Sequence, residues 1–192
     1  DAPVLVRRPA DSGWDPSPDT CYQSFGAAAA AAAPGSLLLV GEGTYYEHST
    51  ITNSVNIEGV PGGSGCSPTI ISGEQSVGTH LPALVLSGLS GIDVRNLTIR
   101  DTGLGNVCGQ NTGLEIGLDL RNVSGSNFEN LCLRQNGVTE LRIYGNSDGN
   151  TFRNVSIDGA IRYGDGTDMC GHRSREGVLI DGGPACEGGA GA

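Results

Sequence analysis

A chain of 192 residues has room for one continuous hydrophobic core and not for two independent ones. Its 32 glycines are more than twice the usual ~7% share, and without a collagen triplet they imply many tight turns. A net charge of −10, with all 11 basic residues arginine, repels phosphate backbones and anionic bilayers, and no apolar run approaches the ~18 residues of a membrane span, so neither nucleic acid nor membrane insertion is expected.

Residues 1–19 read as an extended N-terminal arm. Val4, Leu5 and Val6 can form a short strand available for assembly with another copy. Pro9, Pro16 and Pro18 keep the following stretch out of a helix, and Trp14 is expected to dock the arm against the rest of the chain. Asp19 or Thr20 can cap a helix from about Cys21 to Ala33, whose alanines have the highest helix propensity and which Pro34-Gly35 stops. Short aliphatic pieces follow at Leu37–Val40, Thr50-Ile51, Ser54–Ile57 and Thr69–Ile71, punctuated by glycine and each long enough only for a strand.

The middle of the chain repeats. Aligning Asn96, Asn130 and Asn154 puts Val94, Phe128 and Phe152 in one column, Leu97, Leu131 and Val155 in a second, and Ile99, Leu133 and Ile157 in a third. Upstream of each copy lies another aliphatic strand: Leu84–Leu86, Leu118–Leu120 and Leu141–Ile143. Val55–Glu58 and Val178–Ile180 fit the same pattern. The spacings of 34 and 24 residues fit a base period of ~22–24 interrupted by insertions near 102–113 and 160–176. Each copy can wind once around an axis, pairing its strands parallel to those of the next coil. Asn96, Asn130 and Asn154 then form a structural ladder, because asparagine tolerates the left-handed backbone of a tight turn and its amide can bond the equivalent amide one coil away. Arg95, Glu129 and Arg153 share a column, which places an acid between two arginines.

These residues carry a resemblance. Cys21–Gly35, Leu37–Val40, Gly41-Glu42-Gly43-Thr44-Tyr45, Val55–Gly59 and Thr69–Gly73 resemble the N-terminal coil of pectate-lyase-like right-handed β-helices, and the later Asn-apolar-Thr-Ile-Arg phrases are similar to their generic repeats. The resemblance implies an all-β, right-handed parallel β-helix over residues 20–182 and an alanine-rich helix capping its N-terminal end; residues 183–192 read from the sequence as a Gly-rich tail. It implies little about function, since that scaffold houses lyases, hydrolases, epimerases, adhesins and inert frameworks.

Candidate chemistry is sparse. Arg100, Arg134 and Asp158 share an outward column beside Asp101 and Gln135, and arginines on a flat sheet can bind uronate carboxylates. Lyases on this scaffold use calcium-binding carboxylates with an arginine or lysine base, but here no three acids fall in register. Asp165, Asp168 and His172 resemble the acid and Gly-His phrases of polygalacturonase-like hydrolases, whose paired-Asp strand motif is missing; Asp165 and Asp168 are also candidate calcium ligands. His48 and His80 lack metal-ligand spacing. Of the glycosylation triplets at Asn96, Asn122 and Asn154, two fall in the ladder and read as structural. Six widely spaced cysteines predict up to three disulfides and a secreted or cell-surface setting. Cys132 is placed to reach Cys108 or Cys170, Cys21 to meet Cys66, and Cys170 to meet Cys186. With no catalytic constellation complete, the sequence favours a non-catalytic, self-associating building block of an extracellular assembly, such as a filament, with no cofactor beyond calcium. The alternatives are a β-helix that binds or degrades polysaccharide as a lyase or hydrolase, and a fragment of a larger adhesin.

Overall fold

The computed structural model describes residues 4–7, 20–63, 65–73, 81–102, 115–137, 139–158 and 176–181. Strands β1 (Val4–Arg7) and β2 (Thr20–Tyr22) precede helix α1 (Phe25–Ala31). A first coil comprises β3 (Leu37–Val40), β4 (Gly43–Tyr46) and β5 (Ser49–Ile51), and a second β6 (Asn56–Glu58), β7 (Thr69–Ser72) and β8 (Leu84–Ser87). A third contains β9 (Asp93–Arg100) and β10 (Ile116–Arg121), and a fourth β11 (Asn127–Arg134) and β12 (Thr139–Tyr144). The fifth contains β13 (Thr151–Arg153), β14 (Ser156–Asp158) and β15 (Glu176–Asp181).

Every coil strand pairs parallel with its counterpart one coil away. β5, β8, β10, β12 and β15 form one sheet, and the remaining strands the other. Such winding, sheet to sheet and back with one-coil register, is a parallel β-helix. Side chains alternate across each strand, so the register stacks like on like. Leu38, Ile57, Val94, Phe128 and Phe152 form one inward column, in which the Phe128 and Phe152 rings stack with centroids 4.9 Å apart. Ile51, Leu86, Leu120 and Ile143 line the opposite sheet. Packing is tight where coils turn: a Cβ on Gly59 would lie 2.1 Å from the Asn96 carbonyl oxygen, so glycine is required there.

Asn96, Asn130 and Asn154 have φ of 58°, 53° and 48°. Asn154 donates to Asn130 Oδ1 at 2.8 Å and Asn130 to Asn96 Oδ1 at 3.0 Å. In the neighbouring outward column Glu58, Arg95, Glu129 and Arg153 alternate in charge. The contact made is Arg95 to Glu58, at 2.7 Å, an exposed pair of ~0–1 kcal/mol.

Three sequence expectations need correction. First, the helix begins at Phe25 with Ser24 as its cap, not at Cys21; Thr20–Tyr22 is drawn into a strand by pairing with β1. Secondly, Val4–Arg7 is not a detached arm. It pairs antiparallel with both β2 and β3, and Val4 is fully buried. Thirdly, Cys66 bonds Cys132, with Cα atoms 5.5 Å apart. Neither the expected Cys21–Cys66 pair nor a Cys132 bond to Cys108 or Cys170 forms, because the loop from β6 to β7 folds along the axis across β9 to reach β11. Thr98 Oγ1 holds that loop by donating to the Ser67 carbonyl at 2.7 Å. Cys21 is exposed and has no disulfide partner among the described residues; Cys108, Cys170 and Cys186 lie outside them.

α1 is anchored by one carboxylate. Glu47 accepts the backbone N–H groups of Phe25 at 2.7 Å and Gly26 at 2.9 Å, and the hydroxyls of Ser49 at 2.7 Å and Ser24 at 3.2 Å. Two otherwise orphaned helix donors are thereby satisfied, while Phe25, Ala28 and Ala29 are buried. Glu47→Ala is expected to lower unfolding free energy by about 2 kcal/mol in urea melts, the scale of charge-assisted bonds lost at a part-buried site. A change below about 0.5 kcal/mol, the level of ordinary surface substitutions, would show that the anchor is dispensable.

Candidate functional site

The strands of the larger sheet end in an outward column. The register aligns Tyr46, Ser72, Arg100, Arg134 and Asp158 on successive coils. Arg100, Arg134 and Asp158 therefore stand side by side, one strand spacing of about 4.8 Å apart. Arg100 Nε lies 2.9 Å from Asp101 Oδ2, and Arg134 Nε is buried with no acceptor among the described residues. At the next position, Asp101 and Gln135 adopt positive φ (61° and 58°) as the chain turns toward the second sheet. Among the described residues this corner carries Asp101 and Thr102 on one coil and the short 135–137 turn on the next, and turns on a rigid scaffold are where binding groups concentrate.

Behind the turn lies a buried polar network. Asn136 N and Nδ2 both donate to the Glu140 carboxyl. Asn136 Oδ1 accepts from Thr102 N at 3.3 Å and Thr102 Oγ1 at 3.1 Å, and Thr102 Oγ1 accepts from Gly137 N at 3.3 Å. Thr102, Glu115, Asn136 and Glu140 are all nearly inaccessible. Burial pushes the Glu140 carboxyl up to about 7; the two Asn136 donors oppose this, and the charges of Asp158 and Asp101 add to the rise.

Glu140 itself stands on β12, in the second sheet. Two residues further along β12, Arg142 meets Asp119 in a bidentate pair, Nε to Oδ1 at 2.9 Å and Nη2 to Oδ2 at 2.6 Å. Arg121 approaches Asp119 Oδ2 through Nε at 2.7 Å, and the Asp119 side chain is wholly covered. Tyr144, aligned with Arg121 on the next coil, is 47% exposed. The outward face of the second sheet thus carries Asp119 held between Arg121 and Arg142, with the exposed Tyr144 ring beside them.

Sequence reasoning singled out Arg100, Arg134 and Asp158 and missed Glu140, Asn136, Asp119, Arg121 and Arg142. The signal was present in Ile116-Gly-Leu-Asp-Leu-Arg121 and Thr139-Glu-Leu-Arg-Ile-Tyr144, where charges alternate with the aliphatic positions. His48 lies between β4 and β5, half-buried, with its Nδ1 3.0 Å from the Pro82 carbonyl oxygen. Asp165, Asp168, His172, His80 and Trp14 lie outside the described residues. Among the described residues no group of three or more His, Cys, Asp or Glu side chains is placed to hold a metal ion, and no helix is long and apolar enough to cross a membrane.

No protein-family model matches this chain, and no curated protein does. Solved structures similar to it include a pectin methylesterase mutant in complex with a hexasaccharide (16% identity, TM-score 0.49, covering 72% of this chain and 46% of that one). A second pectin methylesterase–hexasaccharide complex matches at 12% identity and TM-score 0.48, over 84% of this chain and 62% of that one. Pectin methylesterase PemA from Erwinia chrysanthemi matches at 15% identity and TM-score 0.44, over 77% and 52% respectively. The chain thus spans between 46% and 62% of the length of these proteins.

Proposed function

We propose that this protein engages an acidic polysaccharide across the corner formed by Arg100, Arg134, Asp158 and Glu140. The observation that carries the reading is the in-register Arg100–Arg134 pair, with a buried Arg134 Nε that lacks an acceptor among the described residues. A guanidinium fork is suited to a carboxylate, and parallel strands repeat it along the axis, as carboxylates repeat along a uronate polymer. The net charge of −10 makes concentration of arginine at one corner the more specific. Glu140, with its pKa about 7, is the group there able to hold or release a proton at neutral pH.

The same reading takes the coils as right-handed, the near-universal hand of parallel crossovers, and α1 as a cap on the N-terminal end, supported by its buried face and its Glu47 anchor. A secreted or surface location is supported by the Cys66–Cys132 bond. The building-block reading has less behind it, since the Val4–Arg7 strand is used within its own chain.

Calorimetric titration of the full chain with polygalacturonate oligomers, with and without calcium, tests the proposal. Binding is expected to weaken with salt and to fall at least about tenfold in Arg134→Ala, since a charged hydrogen bond contributes roughly 1.5–3 kcal/mol. Unchanged affinity in that variant, or no binding by the parent, would refute it.

A further inference from the structure

A second groove lies away from the arginine corner. Its floor is the asparagine ladder, four residues back along the strands from the Arg100 column and so on the order of 13 Å distant. Its wall is the loop from β6 to β7, and the space between measures about 540 Å³, within the roughly 300–1,000 Å³ usual for ligand sites.

The wall is fixed in place. Beyond the Cys66–Cys132 bond and the Thr98–Ser67 contact, Ser67 Oγ donates to the Val60 carbonyl at 2.7 Å and Val60 N donates to Thr69 Oγ1 at 2.9 Å. A site so braced on both sides loses little freedom on binding. The floor retains hydrogen-bonding capacity, because each carboxamide has two N–H donors and two acceptor lone pairs and the ladder uses only part of them. Asn130 and Asn154 are exposed, as is Ser156 beside them.

Among the described residues no charged side chain lines this groove, in a chain where 17% of residues are charged. An anion finds no cation there, and a cation no carboxylate. An apolar ligand finds little beyond the disulfide, Pro61 and the buried Leu131. What the lining matches is an uncharged molecule rich in hydroxyls, long enough to follow amides that recur once per coil. We infer that this groove is a binding site for a neutral oligosaccharide, separate from the acidic-polysaccharide corner and independent of it.

The test uses the intact, disulfide-bonded protein labelled with nitrogen-15. Cello-, manno- and galacto-oligosaccharides are titrated while the side-chain amide resonances are followed. Saturable shifts of the Asn130 and Asn154 carboxamides are expected with at least one neutral series. Ser156→Trp, which fills the groove from an exposed position while leaving every ladder asparagine in the sequence, should abolish them. Asn154→Ala should weaken binding about tenfold, the loss of one or two hydrogen bonds. Arg134→Ala should leave these shifts unchanged, which separates this site from the corner. Absence of saturable shifts with all three series, or their persistence in a folded Ser156→Trp protein, would overturn the assignment.

Discussion

Replacing Glu140 by glutamine is expected to flatten the dependence of stability on pH between about 4.5 and 7, the ordinary carboxyl value and the value that burial imposes. With its folded pKa raised, this group binds more protons in the folded chain than in the unfolded one across that window. Stability from this source is therefore complete below about 4.5 and is lost as pH rises through about 7. A rise from 4.5 to about 7 corresponds at most to about 3 kcal/mol, at roughly 1.4 kcal/mol per unit. Glutamine does not titrate, so the loss disappears. Because it also turns an N–H toward one of the two Asn136 donors, at about 1–3 kcal/mol, the slope rather than the absolute stability is diagnostic. Urea unfolding at pH 5 and pH 8 measures it; equal slopes for the parent and Glu140→Gln would show that Glu140 does not set the pH dependence.

The second large effect concerns Cys66 and Cys132. Their bond closes a span of 66 residues, for which the loop-entropy relation gives about 4 kcal/mol. The Cys66→Ser and Cys132→Ser single variants should each lose most of that, and the double variant should lose little more than either. A reductant should bring the parent down to the level of the variants. If a reductant leaves parent stability unchanged, the bond does not restrain the unfolded chain as argued.

The coils were legible because parallel register copies one residue type onto itself. Val94, Phe128 and Phe152 announce a column, and Asn96, Asn130 and Asn154 mark the turn where only a few residues tolerate positive φ. What depended on distant pairing was hidden. Nothing local in Val4–Arg7 shows that it joins β3 rather than hanging free, and Thr20–Tyr22 reads as the start of a helix until β1 lies beside it. The disulfide was half visible: the outward place of Cys132 next to Thr98 was readable, but not that a glycine-rich loop from two coils earlier would fold down to meet it. At the candidate site the arginine column followed from the repeat, whereas Glu140 did not. An acid alternating with leucine and isoleucine on a strand reads as solvent-facing, and its burial comes with the 135–137 turn that brings Asn136 onto it.

Hydrogen-exchange footprinting of the full chain with saturating polygalacturonate oligomers tests the central claim most directly. Engagement at the corner requires new protection in peptides covering residues 100–102, 134–142 and 158, with little change over 59–68. Protection confined to other segments, or none at saturation, would contradict the assignment of this corner as the acidic-polysaccharide site.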